Sequence, residues 1–132
     1  MKNFIKKVLV GNKTLPAEEC IKSFNMNFTE AINVEWFKKA EHYEAIFYNN
    51  KIECIALFHL NGTLLEYRQN IPIGYLPEII KDVAQSKGEI MNTVLTNKGN
   101  MLEYEIIIRN STLIRYCLNV SEFGEIVSEK KL

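Results

Sequence analysis

The segment from Tyr43 to Gln69, YEAIFYNNKIECIALFHLNGTLLEYRQ, constrains this chain most, because it is written twice. Residues 104–130, YEIIIRNSTLIRYCLNVSEFGEIVSEK, return to the same rhythm sixty-one positions later. Each copy alternates apolar and polar residues with period two, the signature of strands that bury one face. Asn49-Asn50 and Asn61-Gly62 supply the turns of the first copy, since Asn and Gly tolerate the positive φ of a tight reversal. Tyr43-Glu44 matches Tyr104-Glu105, Phe58 matches Val120, and Gly62 matches Gly124. The second copy is one residue longer at its first turn, NST in place of NN.

A helix is expected ahead of each meander. Pro16 suits a first turn, Glu18 and Glu19 suit the positive end of the helix dipole, and Thr14 stands where a cap would. Ala17, Cys20, Ile21 and Phe24 then fall on one stripe. Pro77 opens the second helix, with Leu76, Ile80, Val83 and Ala84 as its stripe and Gly88 as its C-terminal stop. Strands follow each helix, at 33–39 with Val34 and Trp36 on one face, and at 89–96. The expected fold is therefore α+β: two tandem α-β-β-β-β repeats forming a mostly antiparallel sheet with helices packed on one face. A single domain spans 1–132, with a lead-in over 1–15 and repeats over 16–70 and 71–132. A unit of about sixty residues is marginal alone, so the halves are expected to share a core.

Alternation divides each meander into two faces. The core face takes Tyr43, Ala45, Phe47, Ile52, Cys54, Ala56 and Phe58 in the first copy. Its counterpart is Tyr104, Ile106, Ile108, Ile114, Tyr116, Leu118 and Val120. The other face of the second copy, with Glu105, Ile107, Arg109, Arg115, Cys117 and Asn119, suits water. In the first copy that face holds Ile46, Tyr48, Ile55 and Leu57 among Glu44, Glu53 and His59, and an antiparallel sheet usually leaves such a face open. An exposed apolar patch of this kind marks a partner surface. Two other arrangements account for it: residues 1–15 folding back through Phe4, Ile5, Val8 and Leu9, or a homodimer through the same face.

Sixteen basic and sixteen acidic side chains cancel, with no basic stripe of the kind nucleic acid requires. No apolar run approaches the roughly twenty residues that span a bilayer. The apolar stretch after Lys6 and Lys7 is too short for an export signal, which fits a cytoplasmic protein as written, or a periplasmic one whose leader was removed. Cys20, Cys54 and Cys117 are odd in number and widely spaced, and read as small core or sheet residues without a metal or disulfide framework.

The run of helix, Val34-Glu35-Trp36, Tyr43-Glu44 with Phe47, and Asn61-Gly62 with Leu64-Leu65 resembles the PepSY-like family, which is similar to beta-lactamase-inhibitor proteins. The resemblance covers roughly residues 16–130. It implies a two-repeat sheet with an open face opposite its helices, and a binding or inhibitory module in place of an enzyme. The second copy lacks a match to Trp36, with Val94 or Met91 nearest.

Catalytic readings have little to rest on. His42 lies at a turn beside Glu41, and His59 ends a strand; a nucleophilic pair would need Cys54 or Cys117 to face His59, and Cys117 is the one assigned to its face. Glu44, Glu53 and Glu105 read as cross-strand salt-bridge partners. No phosphate-binding glycine motif is present. Among the aromatics Trp36, Phe37, Tyr48 and Tyr67, Trp36 is assigned to the core and Tyr48 to the open face. The expected function is thus a non-enzymatic, protein-binding or inhibitor-like module without cofactor or metal. Its candidate binding residues are Ile46, Tyr48, Ile55, Leu57, His59 and Tyr67. The alternative is a carrier holding a small apolar ligand between that face and the N-terminal segment. The partner is an unidentified protein, and neither nucleic acid nor a membrane span is expected.

Overall fold

The computed structural model describes residues 12–132, which form two compact units, one closing at Gln69 and the other running Asn70–Leu132. The first unit begins with a short strand β1 (Asn12–Lys13) and helix α1 (Glu18–Asn27). Four strands follow: β2 (Ala31–Lys39), β3 (His42–Asn49), β4 (Ile52–His59) and β5 (Leu64–Asn70). Each pairs antiparallel with the one before it, and β1 adds to the outer side of β2. The second unit repeats the order. A single 3-10 turn (Ile73–Tyr75) leads into α2 (Glu78–Gln85), then β6 (Glu89–Asn97), β7 (Leu102–Arg109), β8 (Arg115–Ser121) and β9 (Ile126–Lys131). Among the described residues β9 pairs only with β8, and all of its residues are exposed.

The helix stripes do what their spacing predicts. Cys20 and Phe24 of α1 are buried against Ala45, Phe47, Cys54, Ala56 and Phe58, with Trp36, Tyr43 and Ile52 packed at the margin. Phe24 is the hub. Its ring meets Phe47 edge-on at 4.9 Å and also touches Phe28, Trp36 and Phe58. In the second unit Ile80 and Ala84 of α2 cover Tyr104, Ile106, Ile108, Leu118 and Val120. Among the described residues each buried cluster is made of side chains from one unit.

Thr14 does not cap α1; Ala17 takes that position, and the Thr14 hydroxyl bonds its neighbour's carbonyl. Gly88 has no left-handed backbone. It is needed because a Cβ there would stand 2.6 Å from the Arg109 carbonyl oxygen.

Three hairpins share one turn. In each, the fourth residue's N–H bonds back to the first residue's carbonyl, and the first N–H bonds to the fifth carbonyl: His59–Thr63, Ser121–Glu125 and Asn110–Ile114. The fourth residue must be left-handed, and it is Gly62 (φ 96) and Gly124 (φ 87) in two of them. In the third it is Leu113 (φ 66), whose side chain is 71% exposed. A Cβ in that region is strained, and the exposed leucine buries nothing in return. Leu113→Gly is therefore expected to stabilise the protein by about 0.5–1 kcal/mol. A melting temperature equal to or below that of the parent would refute this. The remaining first-copy turn centres on Asn50-Lys51, both left-handed, one residue later than the Asn49-Asn50 expected, because Asn49 pairs with Ile52 across the ladder.

Candidate functional site

On the sheet face of the first unit opposite α1, register sets the side chains in rows. Phe37, Glu44, Leu57 and Glu66 form one row across β2 to β5, and Glu35, Ile46, Ile55 and Arg68 form the next. Tyr48 stands opposite Ile32 and Glu53, and His59 opposite His42. Phe37 and Ile55 are buried and make a small apolar cluster with the partly exposed Ile46. Leu57 is also partly exposed, and Tyr48 and His59 are exposed.

Two of the six predicted residues are placed differently. Ile55 keeps only 7% of its surface, so it forms the floor of the face together with Phe37. Tyr67 lies on the other face: it pairs with Ala56, and its ring packs edge-on against Phe28 at 5.3 Å. A register shift between Leu57 and Phe58 puts an extra residue into β5, and this bulge reverses the count of faces. Ile46, Tyr48, Leu57 and His59 remain together. The covering of this face by Phe4, Ile5, Val8 and Leu9, and the carrier pocket beneath them, lie outside the described residues.

Two carboxylates of the face are tied down. Glu44 is buried, and its Oε1 takes Lys39 Nζ at 3.0 Å and His42 Nε2 at 3.4 Å. Lys13 reaches Glu35 at 3.6 Å from β1. His59 Nδ1 accepts the N–H of Asn61, which commits its ring to the turn. Sequence reasoning missed Phe37 as a floor residue and Glu44 as the site's buried carboxylate. The strand parity that opposes Phe37 to Trp36 was the available signal for the first.

The buried thiols of Cys20 and Cys54 are poor nucleophiles. Burial pushes Cys54 up to about 11, and burial followed by the Glu19 charge raises Cys20, whose thiol donates to the His59 carbonyl at 3.5 Å. Burial and then the Glu122 charge also raise Tyr104. All three hold their protons more tightly in the folded chain than in the unfolded one. The contribution of Cys54 to stability is thus complete below its ordinary value of 9.0 and is lost as pH climbs through 9 toward about 11, that of Cys20 is lost from 9.0 upward, and that of Tyr104 from 10.0 upward. Melting temperature is expected to fall steadily over that window, and less steeply in Cys54→Ala. A flat profile in the parent protein would show that burial does not hold these protons.

No group of three or more His, Cys, Asp or Glu among the described residues is placed to hold a metal ion. No helix among them is long and apolar enough to cross a membrane.

No protein-family model matches the chain, and a search of curated proteins returns no match. Solved structures do match. A BLIP-like protein from Bacteroides fragilis aligns with a TM-score of 0.79 at 17% identity, over 90% of this chain and 88% of that one. A DUF2874 family protein from Bacteroides ovatus aligns with a TM-score of 0.79 at 15% identity, over 89% of each chain. A second DUF2874 family protein, from Bacteroides uniformis, gives 0.78 at 14% identity, over 89% of this chain and 90% of that one. At these identities the likeness is one of fold: the chain shares the α+β architecture of BLIP-like proteins, antiparallel strands with helices on one face.

Proposed function

We propose that this chain is a non-enzymatic, inhibitor-like binding module, and that it grips a protein partner with the sheet face of its first unit opposite α1. The observation that carries the reading is the layering of that face. Ile46, Tyr48 and Leu57 stay accessible above a floor of buried Phe37 and Ile55, while Glu44 is already ion-paired with Lys39 and lies 3.4 Å from His42 Nε2. A fixed floor lets the upper side chains meet a partner with little loss of rotamer freedom, and tyrosine gives large contact area at low entropy cost. The matching face of the second unit, with Glu105, Arg109 and Asn119, lacks this apolar run. The beta-lactamase-inhibitor likeness of the PepSY-like resemblance points the same way. The raised thiols of Cys20 and Cys54 and the turn-bound His59 speak against a nucleophilic reading at those residues.

The test is site-specific photocrosslinking. A photoreactive amino acid replacing Tyr48 is compared with one replacing Lys130 on β9, in extract of the native host. The expected result is a discrete adduct from position 48 alone, lost in a Leu57→Lys background whose melting temperature is unchanged. The same adducts from both positions, or none from position 48, would overturn the proposal. An adduct of twice the chain's mass would identify the partner as a second copy.

A further inference from the structure

We infer that the second unit carries a separate docking surface, where α2 meets the β8–β9 turn, and that it takes a basic amphipathic protein segment. Three large apolar side chains are exposed there: Ile79 at 55%, Met101 at 56% and Phe123 at 75%. Two contacts bring them to one corner. A Cβ on Gly124, next to Phe123, would stand 3.0 Å from Ile79 Cγ1 and 3.8 Å from Val83 Cγ2. The N–H of Leu102, next to Met101, donates to Glu122 Oε2 at 3.0 Å.

The joint itself does not require these residues. In the first unit the same turn position, Gly62, sits against Glu19 of α1, and Asn61 stands where the second unit has Phe123. That turn carries Leu60 as its exposed apolar side chain and no aromatic, so the joint does not itself require Phe123. Exposed aromatics of this kind anchor protein interfaces.

Charge selects the partner. Glu78 and Asp82 flank Ile79 along α2, and Glu122 and Glu125 flank Phe123 along the turn; all four are exposed. None of the four forms an ion pair among the described residues. The basic side chains of the same segments are Lys81, which is partly buried, and Lys98, which is exposed on the β6–β7 turn. The acids outnumber them, and an apolar knob rimmed with carboxylates that form no ion pair among the described residues complements apolar side chains ringed by lysine or arginine.

A designed helical peptide of leucine and lysine is the probe, added to the full chain while backbone amide NMR shifts are followed. Its counterpart with glutamate for lysine is the control. The lysine peptide is expected to shift Ile79, Met101 and Phe123, and the glutamate peptide to shift none. Phe123→Ser should weaken binding at least tenfold with the fold intact, as its exposure allows. Asp82→Lys with Glu125→Lys should weaken binding and flatten its salt dependence. Equal binding of both peptides, unchanged affinity in Phe123→Ser, or shifts confined to the first unit would each overturn the inference.

Discussion

Phe24→Ala is expected to cost the first unit about 3–5 kcal/mol, the range for removing a buried aromatic ring. The ring touches Phe28, Trp36, Phe47 and Phe58, so its loss leaves a cavity walled by other rings that cannot easily collapse inward. The chain's one tryptophan, Trp36, lies 5.5 Å from Phe24 and so reports on this unit directly. Urea unfolding followed by its fluorescence should show a midpoint far below that of the parent. A loss below about 1 kcal/mol would mean that the cluster repacks, and that the aromatic hub is not what holds α1 to its sheet.

The second large effect comes from a position with no side chain. At Gly62 a Cβ would stand 2.7 Å from the Glu19 carbonyl oxygen and 2.9 Å from its carbon, with φ at 96. Both the left-handed backbone and the helix backbone oppose the added carbon, and neither is the flexible end of a side chain. Beside it the Cys20 thiol donates to the His59 carbonyl, so α1 is clasped to the β4–β5 turn at two adjacent points. Gly62→Ala is expected to lose about 2–4 kcal/mol. Gly124→Ala should lose about 1–2 kcal/mol, because its nearest neighbour is the Ile79 side chain, which can turn aside. Thermal unfolding of the two variants side by side checks the order. Equal losses would show that backbone conformation alone sets the cost and that the approach of α1 adds nothing.

The core was legible in the sequence because period-two alternation and helix stripes are local signals. Phe47, Phe58, Ile106 and Leu118 sit where alternation puts them, and Cys20 and Phe24 where i, i+4 spacing does. What failed were features set by pairing between strands. Tyr67 changes face because β5 carries a bulge opposite Leu57 and Phe58, and no residue type announces it. The first turn moves to Asn50-Lys51 because the ladder pairs Asn49 with Ile52, although Asn49-Asn50 reads equally well as a turn. Of the candidate site, the parity of Ile46, Tyr48 and Leu57 was legible. The burial of Ile55 was not, since alternation names a face without saying how deep each residue lies on it. The apolar corner at Ile79 and Phe123 was invisible for a related reason: the two are forty-four positions apart and meet only through Gly124.

The exposed strand β9 has a consequence for the fate of concentrated protein. Its outer backbone groups are a template on which another chain can add, the first step toward cross-β assembly. What stands in the way is the sequence Glu129-Lys130-Lys131, whose lysines point to both sides of the strand and make such an addition bring like charges together. Two surface lysines that contribute nothing to either core thus guard this edge. Salt, or acetylation of those amines, would be the route by which a well-folded molecule leaves solution.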